Sequence, residues 1–587
     1  MKQVLLKLLA AIGALVLLAA VGVGVVVLAA QAMRARVPAR TLLEVDLETG
    51  LLEYTPPDPV AKLVLRDRPT LRDVVFALER AGGDSRVAGL VATIGAAPIG
   101  FGQAQELRDA MIAFRATGKP AVAFAETFGE GGPGNGAYYL ATAFEEIWLQ
   151  PSGDVGLTGI LSETPFLRGT LDKLGLVPRM DHRHEYKNAM NVYTERGFTP
   201  AHREATAAVV ESVFEQMVRG IAAGRDLEEA EVRDIVDRGP LFGQEAVGAK
   251  LVDGLAYRDE AYAKAKEKAG KEAKLLFLGE YLRRAGGPHR DGRTVALVYG
   301  VGPVQRGESD FDPFSGQSTM GADTVAAALR KAVDDDDVEA ILFRVDSPGG
   351  SYVASDAIWR ETVRAREKGK PIVVSMGDVA GSGGYFVAMS AAKIVAQPAT
   401  ITGSIGVVGG KMLTTGLWDK VGLDWDDIAF GEHATFWSGT HDFSAGEWAR
   451  FQAWLDRVYD DFTSKVAEGR GLPKERVLEI AKGRIWTGED ARDLGLVDEL
   501  GGLSTALALA KKEAGIAEDE DVKIVVYPRP LNPLEQLLKG RGESSEPVTL
   551  ATVRALEAVR PLVRELHAAG LRNDPGVLTM PALVLEP

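Results

Sequence analysis

With 587 residues the chain is too long for one hydrophobic core, and 46% hydrophobic with 25% charged residues is the composition of an ordinary folded protein. A formal net charge of −15 leaves no basic surplus to neutralise phosphates, which argues against a nucleic-acid partner. The absence of cysteine removes disulfides, thiolate metal ligands and cysteine nucleophiles together.

Residues 8–30 carry no charge and follow Lys2 and Lys7. As a helix this run would extend ~34 Å, enough to cross a ~30 Å hydrocarbon core. It exceeds the apolar region of a cleavable signal, about 7–15 residues, so residues 1–40 read as a retained membrane anchor with the lipid bilayer as partner. Arg34, Arg36 and Arg40 balance the two lysines, so charge alone leaves the orientation open.

The chain then repeats itself. Residues 134–160 realign with 381–407, nine of the 27 positions being identical. Gly118-Lys119-Pro120 matches Gly369-Lys370-Pro371, and Leu251-Val252-Asp253 matches Leu496-Val497-Asp498. The economical reading is two homologous domains, 41–285 and 294–528, joined at Gly286-Gly287-Pro288 and followed by a tail, 529–587, to which no chemistry is assigned. In the second unit 295–298, 340–345 and 371–375 read as buried strands, with helices at 323–332 and 353–366 between them. Such alternation implies a largely parallel sheet and an α/β fold. Thr199-Pro200 and Ser444-Ala445-Gly446-Glu447 are start signals for a longer helix late in each unit.

The two copies differ where chemistry would sit. Gly381-Ser382-Gly383-Gly384-Tyr385 offers an exposed hydroxyl on a tight turn, whereas the first copy has Asn135 in place of Ser382. Asp346-Ser347-Pro348-Gly349-Gly350-Ser351 follows a strand, and its glycine N–H groups, with that of Gly383, suit an oxyanion hole. The first copy has Ala96-Ala97-Pro98-Ile99 there, a poor anion site because proline lacks an N–H. Conversely Lys187 stands in the first copy where the second has Ala434. His433, His441 and His567 lack an orienting carboxylate nearby in sequence, so Lys187 is the better base, provided that burial holds its amine neutral.

These motifs, with Thr402-Gly403-Ser404-Ile405-Gly406 and Tyr186-Lys187, resemble those of the signal peptide peptidase A (protease IV) family in its long, tandem-domain bacterial form. The resemblance runs from the anchor to about residue 528. It implies two Clp-protease/crotonase-like domains, Ser382 as nucleophile, Lys187 as general base and Ser404 as the residue that positions the lysine, with no metal or cofactor. It also implies a homotetramer in the bacterial inner membrane, single-pass, whose extracytoplasmic catalytic domains degrade signal-peptide remnants and other apolar peptides. Asn188-Ala189-Met190 departs mildly from the small or hydroxyl residue common in relatives. The alternatives are an acyl-CoA hydratase or isomerase on the same fold, which needs no serine nucleophile, and a non-catalytic membrane scaffold.

Overall fold

A computed structural model of the chain describes residues 36–528, apart from 57–60, 62–64, 66–67, 96–98 and 313–315, together with 578–580. The expected transmembrane run at 8–30, the Ala96-Ala97-Pro98 turn, His567 and most of the 529–587 tail lie outside the described residues. Among the described residues no helix is long and apolar enough to cross a membrane.

Two largely parallel sheets share one plan. The first contains β1 (Thr41–Leu47), β2 (Val87–Ile94), β3 (Ala121–Ala125), β4 (Glu146–Leu149), β5 (Gly254–Leu255) and β6 (Lys274–Phe277) in the order β5-β4-β3-β2-β1-β6. The second repeats that order with β7 (Arg293–Val301), β8 (Val338–Ser347), β9 (Ile372–Gly381), β10 (Lys393–Ala396), β11 (Glu499–Leu500) and β12 (Val522–Tyr527), as β11-β10-β9-β8-β7-β12. Leu90, Val91 and Ala92 of β2 are fully buried, as are Ile341, Leu342 and Phe343 of β8, because helices cover the sheets and leave no solvated face for a polar alternation. Small details recur too. Tyr138 Oη donates to Leu251 O at 2.8 Å and Tyr385 Oη to Leu496 O at 2.9 Å.

The late helices start where their caps predict. Thr199 Oγ1 accepts the His202 N–H ahead of Pro200–Arg225, and Ser444 and Glu447 exchange both bonds of a capping box ahead of Ala445–Arg470. Both helices are 26 residues long.

The halves are locked together by backbone as well as side chains. The strand Val177–His182 pairs antiparallel with Val408–Leu413, one strand from each half. The helix Phe101–Ala116 of the first half drives its N-terminus against Asp378 of the second, and the Gln103 N–H donates to Asp378 Oδ1 at 2.9 Å. A Cβ on Gly100 would lie 1.9 Å from Asp378 Oδ2, so a larger residue there would have to displace that carboxylate. The Leu503 N–H donates back to Glu106 Oε1 at 2.6 Å.

Candidate active site

Ser382 stands at the carboxyl end of β9, where ligands bind in parallel sheets. The sequence reading ended this strand at 375, but it continues to Gly381. Glycine and aspartate are weak strand formers alone, yet Val379–Gly381 are held by a second parallel partner, Ile401–Gly403. The Ser382 N–H donates to Gly403 O at 2.8 Å. That bond and the helix Gly383–Ala388 fix Ser382 at φ 54°, ψ −113°. For a residue with a side chain such a conformation costs about 1–3 kcal/mol and persists only where the surroundings over-determine it. Ser404 is also at positive φ, 50°.

Lys187 reaches this turn from the other half. It follows the strand Val177–His182 by five residues, while Ser404 precedes that strand's partner by four, so the inter-half strand pair sets the approach. Lys187 Nζ lies 2.8 Å from Ser382 Oγ, 2.9 Å from Ser404 O and 3.0 Å from Ser404 Oγ. All three residues are fully buried. Burial drives the lysine pKa well below its ordinary value, and no carboxylate opposes the shift. A neutral amine fits the partner set. Ser404 O can only accept and takes one N–H, Ser404 Oγ takes the other, and the lone pair is left for the Ser382 hydroxyl proton. Ser404 in turn is held by its own N–H, donating to Arg484 O at 2.7 Å.

The expected anion donors divide. Gly383 and Gly350 approach closely, a Cβ on Gly383 falling 3.0 Å from Gly350 N and 2.7 Å from Ser355 Oγ. The Gly349 N–H differs from expectation, because it donates to Ser347 Oγ at 3.2 Å and so folds the turn rather than facing a substrate. Ser347 Oγ itself donates to Gly302 O at 2.7 Å. His433 is exposed, and His441 faces Asp427 at 3.3 Å, so the described histidines of the second half are engaged elsewhere.

The first copy has become structural at the equivalent place. Asn135 is buried; its Nδ2 donates to Gly159 O at 2.9 Å and its Oδ1 accepts the Thr158 and Gly159 N–H groups at 3.1 and 3.3 Å. Leu157, opposite Ser404 in the repeat, is fully buried apolar core. Asn135→Ala is expected to cost about 1–3 kcal/mol of stability by stranding these backbone groups. Peptide turnover should stay within about threefold of wild type; chemical denaturation and a peptidase assay on one sample check both halves of this expectation.

Two groups escaped the sequence reading. Gly483 lies at φ 80° directly over the lysine, where a Cβ would stand 2.5 Å from Lys187 Cβ; a glycine just past a helix end was the available signal. The second is a buried ionic cluster behind the site. Arg344 of β8 stands 2.6 Å from Glu53 Oε1 and 2.9 Å from Glu106 Oε2, and it donates to Ser375 Oγ at 2.8 Å. Asp346 and Asp378 complete it. Burial pushes their carboxyls up, to about 8 and about 6, with Glu53 adding repulsion on both. Glu106 is pushed up as well, because burial outweighs the attraction of Arg344.

The profile of peptidase family S49 matches this chain twice, at residues 113–272 and 364–517. The chain belongs to peptidase family S49. Its similarity to members of that family extends through both halves. It is 30% identical over 473 residues to "Serine protease SPPA, chloroplastic" of Arabidopsis thaliana, covering 79% of this chain and 69% of that one. It is 31% identical over 465 residues to "Protease 4" of Salmonella typhi, covering 76% and 73%. "Protease 4" of Haemophilus influenzae gives 30% over 472 residues, covering 77% and 74%. The S49 chain is thus a serine peptidase of the tandem-domain form, which sets aside the hydratase and scaffold alternatives.

Proposed function

We propose that this S49 chain is a membrane-anchored endopeptidase whose Ser-Lys dyad is assembled from both halves of a tandem Clp/crotonase-like fold. The observation that carries the reading is the 2.8 Å approach of a fully buried, carboxylate-free lysine amine to a strained serine. Ser382 Oγ attacks the scissile carbonyl while neutral Lys187 takes its proton. The Gly383 N–H, with Gly350 beside it, stabilises the oxyanion. Lys187 then protonates the departing amine, leaving an acyl-serine, and next removes a proton from the water that hydrolyses it. Ser404 keeps the amine aimed.

Unstructured apolar peptides, signal-peptide remnants among them, suit a site closed by two apolar halves. The charge-free run at 8–30 supports a membrane anchor; the bacterial inner membrane, an extracytoplasmic peptidase and a homotetramer belong to the same proposal and rest on the family resemblance.

The pH profile tests it. Activity requires the uncharged amine, so kcat/KM should rise as pH climbs through the lowered Lys187 pKa and be level well before 10.5. Over the same range the unfolded chain binds a proton that the folded chain does not, so this group makes stability increase with pH. A profile still climbing near pH 10, or no covalent mass shift at Ser382 with a serine-acylating reagent, would overturn the dyad.

A further inference from the structure

The segment that carries Lys187 is gripped residue by residue by the second half. The ring of His184 packs on that of Tyr459, with centroids 4.6 Å apart. Glu185 Oε1 lies 3.9 Å from Lys482 Nζ. The Arg484 guanidinium stands 5.0 Å from the centre of the Tyr186 ring. Gly483 covers the backbone of Lys187 itself, since a Cβ on that glycine would lie 2.6 Å from Lys187 N. The run Lys482-Gly483-Arg484 is thus a cover laid over Glu185-Tyr186-Lys187, one residue against one.

Arg484 makes the widest set of contacts in that cover. Its guanidinium also lies 4.4 Å from the centre of the Trp486 ring, which is held in place by Trp486 Nε1 donating to Ile480 O at 3.0 Å. Its Nη2 donates to Glu204 Oε1 at 2.8 Å, on the helix Pro200–Arg225 of the first half. Its carbonyl accepts the Ser404 N–H, and Ser404 in turn holds the lysine amine through O and Oγ. One residue therefore touches both the neighbour of the base and the group that aims it. The side chain is only 15% exposed. A flat guanidinium can lie on rings while donating in its own plane to a carboxylate, which a lysine ammonium cannot do.

The charges in the cover balance in pairs, Lys482 with Glu185 and Arg484 with Glu204. The Tyr186 phenol is held above its ordinary range, by burial first and then by Glu204. His202, on the same helix as Glu204, is buried with its Nδ1 3.4 Å from Asn191 Nδ2, and burial pushes its imidazole down to about 4, so it is uncharged at neutral pH. Burial alone acts on Lys187, so the state of its amine depends on the exclusion of water. We propose that Arg484 is a positioning residue for the base: by lying over Tyr186, pairing with Glu204 and holding Ser404, it keeps the Glu185-Tyr186-Lys187 segment closed and water away from the amine. This rests on the peptidase reading.

The test is the pH profile of Arg484→Met in the full chain, with a fluorogenic apolar peptide. Water admitted to the amine restores its affinity for a proton, so the rising limb of kcat/KM should move up by at least about 1 pH unit. At a fixed pH on that limb the loss should be at least about tenfold, one unit being a factor of ten in neutral amine. On the alkaline plateau kcat/KM should return to within about threefold of wild type, because the dyad itself is intact. The rate at which a serine-acylating reagent labels Ser382 should show the same shift without turnover. Arg484→Lys keeps a cation opposite Glu204 but not the flat face, so its limb should move in the same direction by less; it carries the test if circular dichroism shows the methionine variant unfolded. An unmoved limb in the folded variants overturns the inference. So does a loss that persists undiminished on the plateau, the mark of a merely structural role. In both cases hydrolysis and acylation by the wild-type chain leave the dyad standing. A wild-type chain that neither hydrolyses peptide nor takes the acyl group at Ser382 removes the dyad, and this inference with it.

Discussion

Replacing Ser382 by alanine, or Lys187 by methionine, is expected to lower kcat/KM for an apolar peptide by at least about 10⁴-fold, with the double variant no worse than either single one. Non-additivity is the informative part. If the hydroxyl and the amine act as one unit, removing either disables the unit, and removing the second has nothing left to disable. The Lys187→Met chain should stay folded, since the alkyl stem already lies in a dry site against Gly406 and Gly483 and the substitution removes the amine while exchanging one methylene for a sulfur of similar size. Ser382→Ala keeps the φ 54° backbone and should unfold near the wild-type midpoint. Circular dichroism on the same preparations separates lost chemistry from lost fold. A Lys187→Met chain retaining a tenth of wild-type turnover would exclude the lysine as base.

The second large effect concerns stability. Arg344→Met should cost about 3–5 kcal/mol, because Glu53 and Glu106 would remain buried without their cation. The deficit should depend on pH in a definite direction. Without Arg344 the folded-state pKa of Glu106, already raised by burial, rises further above its unfolded value. Stability is then intact at low pH, where both states hold the protons, and is lost as pH rises through the folded-state values. Denaturation midpoints of wild type and variant should therefore differ least near pH 5 and most near pH 8. A difference that is flat with pH, or absent at pH 8, would show that Arg344 does not neutralise this cluster.

The duplication and the glycine turns were legible in the sequence because both are backbone requirements. A glycine beside Ser382 is dictated by close approach, so it survives as a letter in the chain. The central strands were legible for a similar reason, since a sheet covered on both faces needs apolar runs such as Ala340-Ile341-Leu342-Phe343. Their ends were not. Residues 377–381 read as loop by composition and become strand only through pairing with Ile401–Gly403, a partner that local sequence does not reveal. The dyad was suggested by what each copy lacks rather than by any local pattern around Lys187, which alone resembles a solvated lysine. The Arg344 cluster was invisible, because Glu53, Glu106, Arg344, Asp346 and Asp378 are far apart in the chain and each looks like an ordinary surface charge. The tail was set aside as chemically silent, and the two-residue strand Leu578–Thr579, which pairs with Gly349–Gly350, carries no periodicity by which to notice it.

The antiparallel ribbon formed by Val177–His182 and Val408–Leu413 has a consequence for biogenesis. The amino-terminal half leaves the ribosome first, and under the proposed chemistry it carries a base with no alcohol to activate. The carboxy-terminal half brings the alcohol, but its hydroxyl stays inert until the ribbon closes and draws the amine in. Hydrolytic competence would then be the last property the chain acquires, and a translation product halted midway, or one whose halves fail to dock, would be harmless to its neighbours.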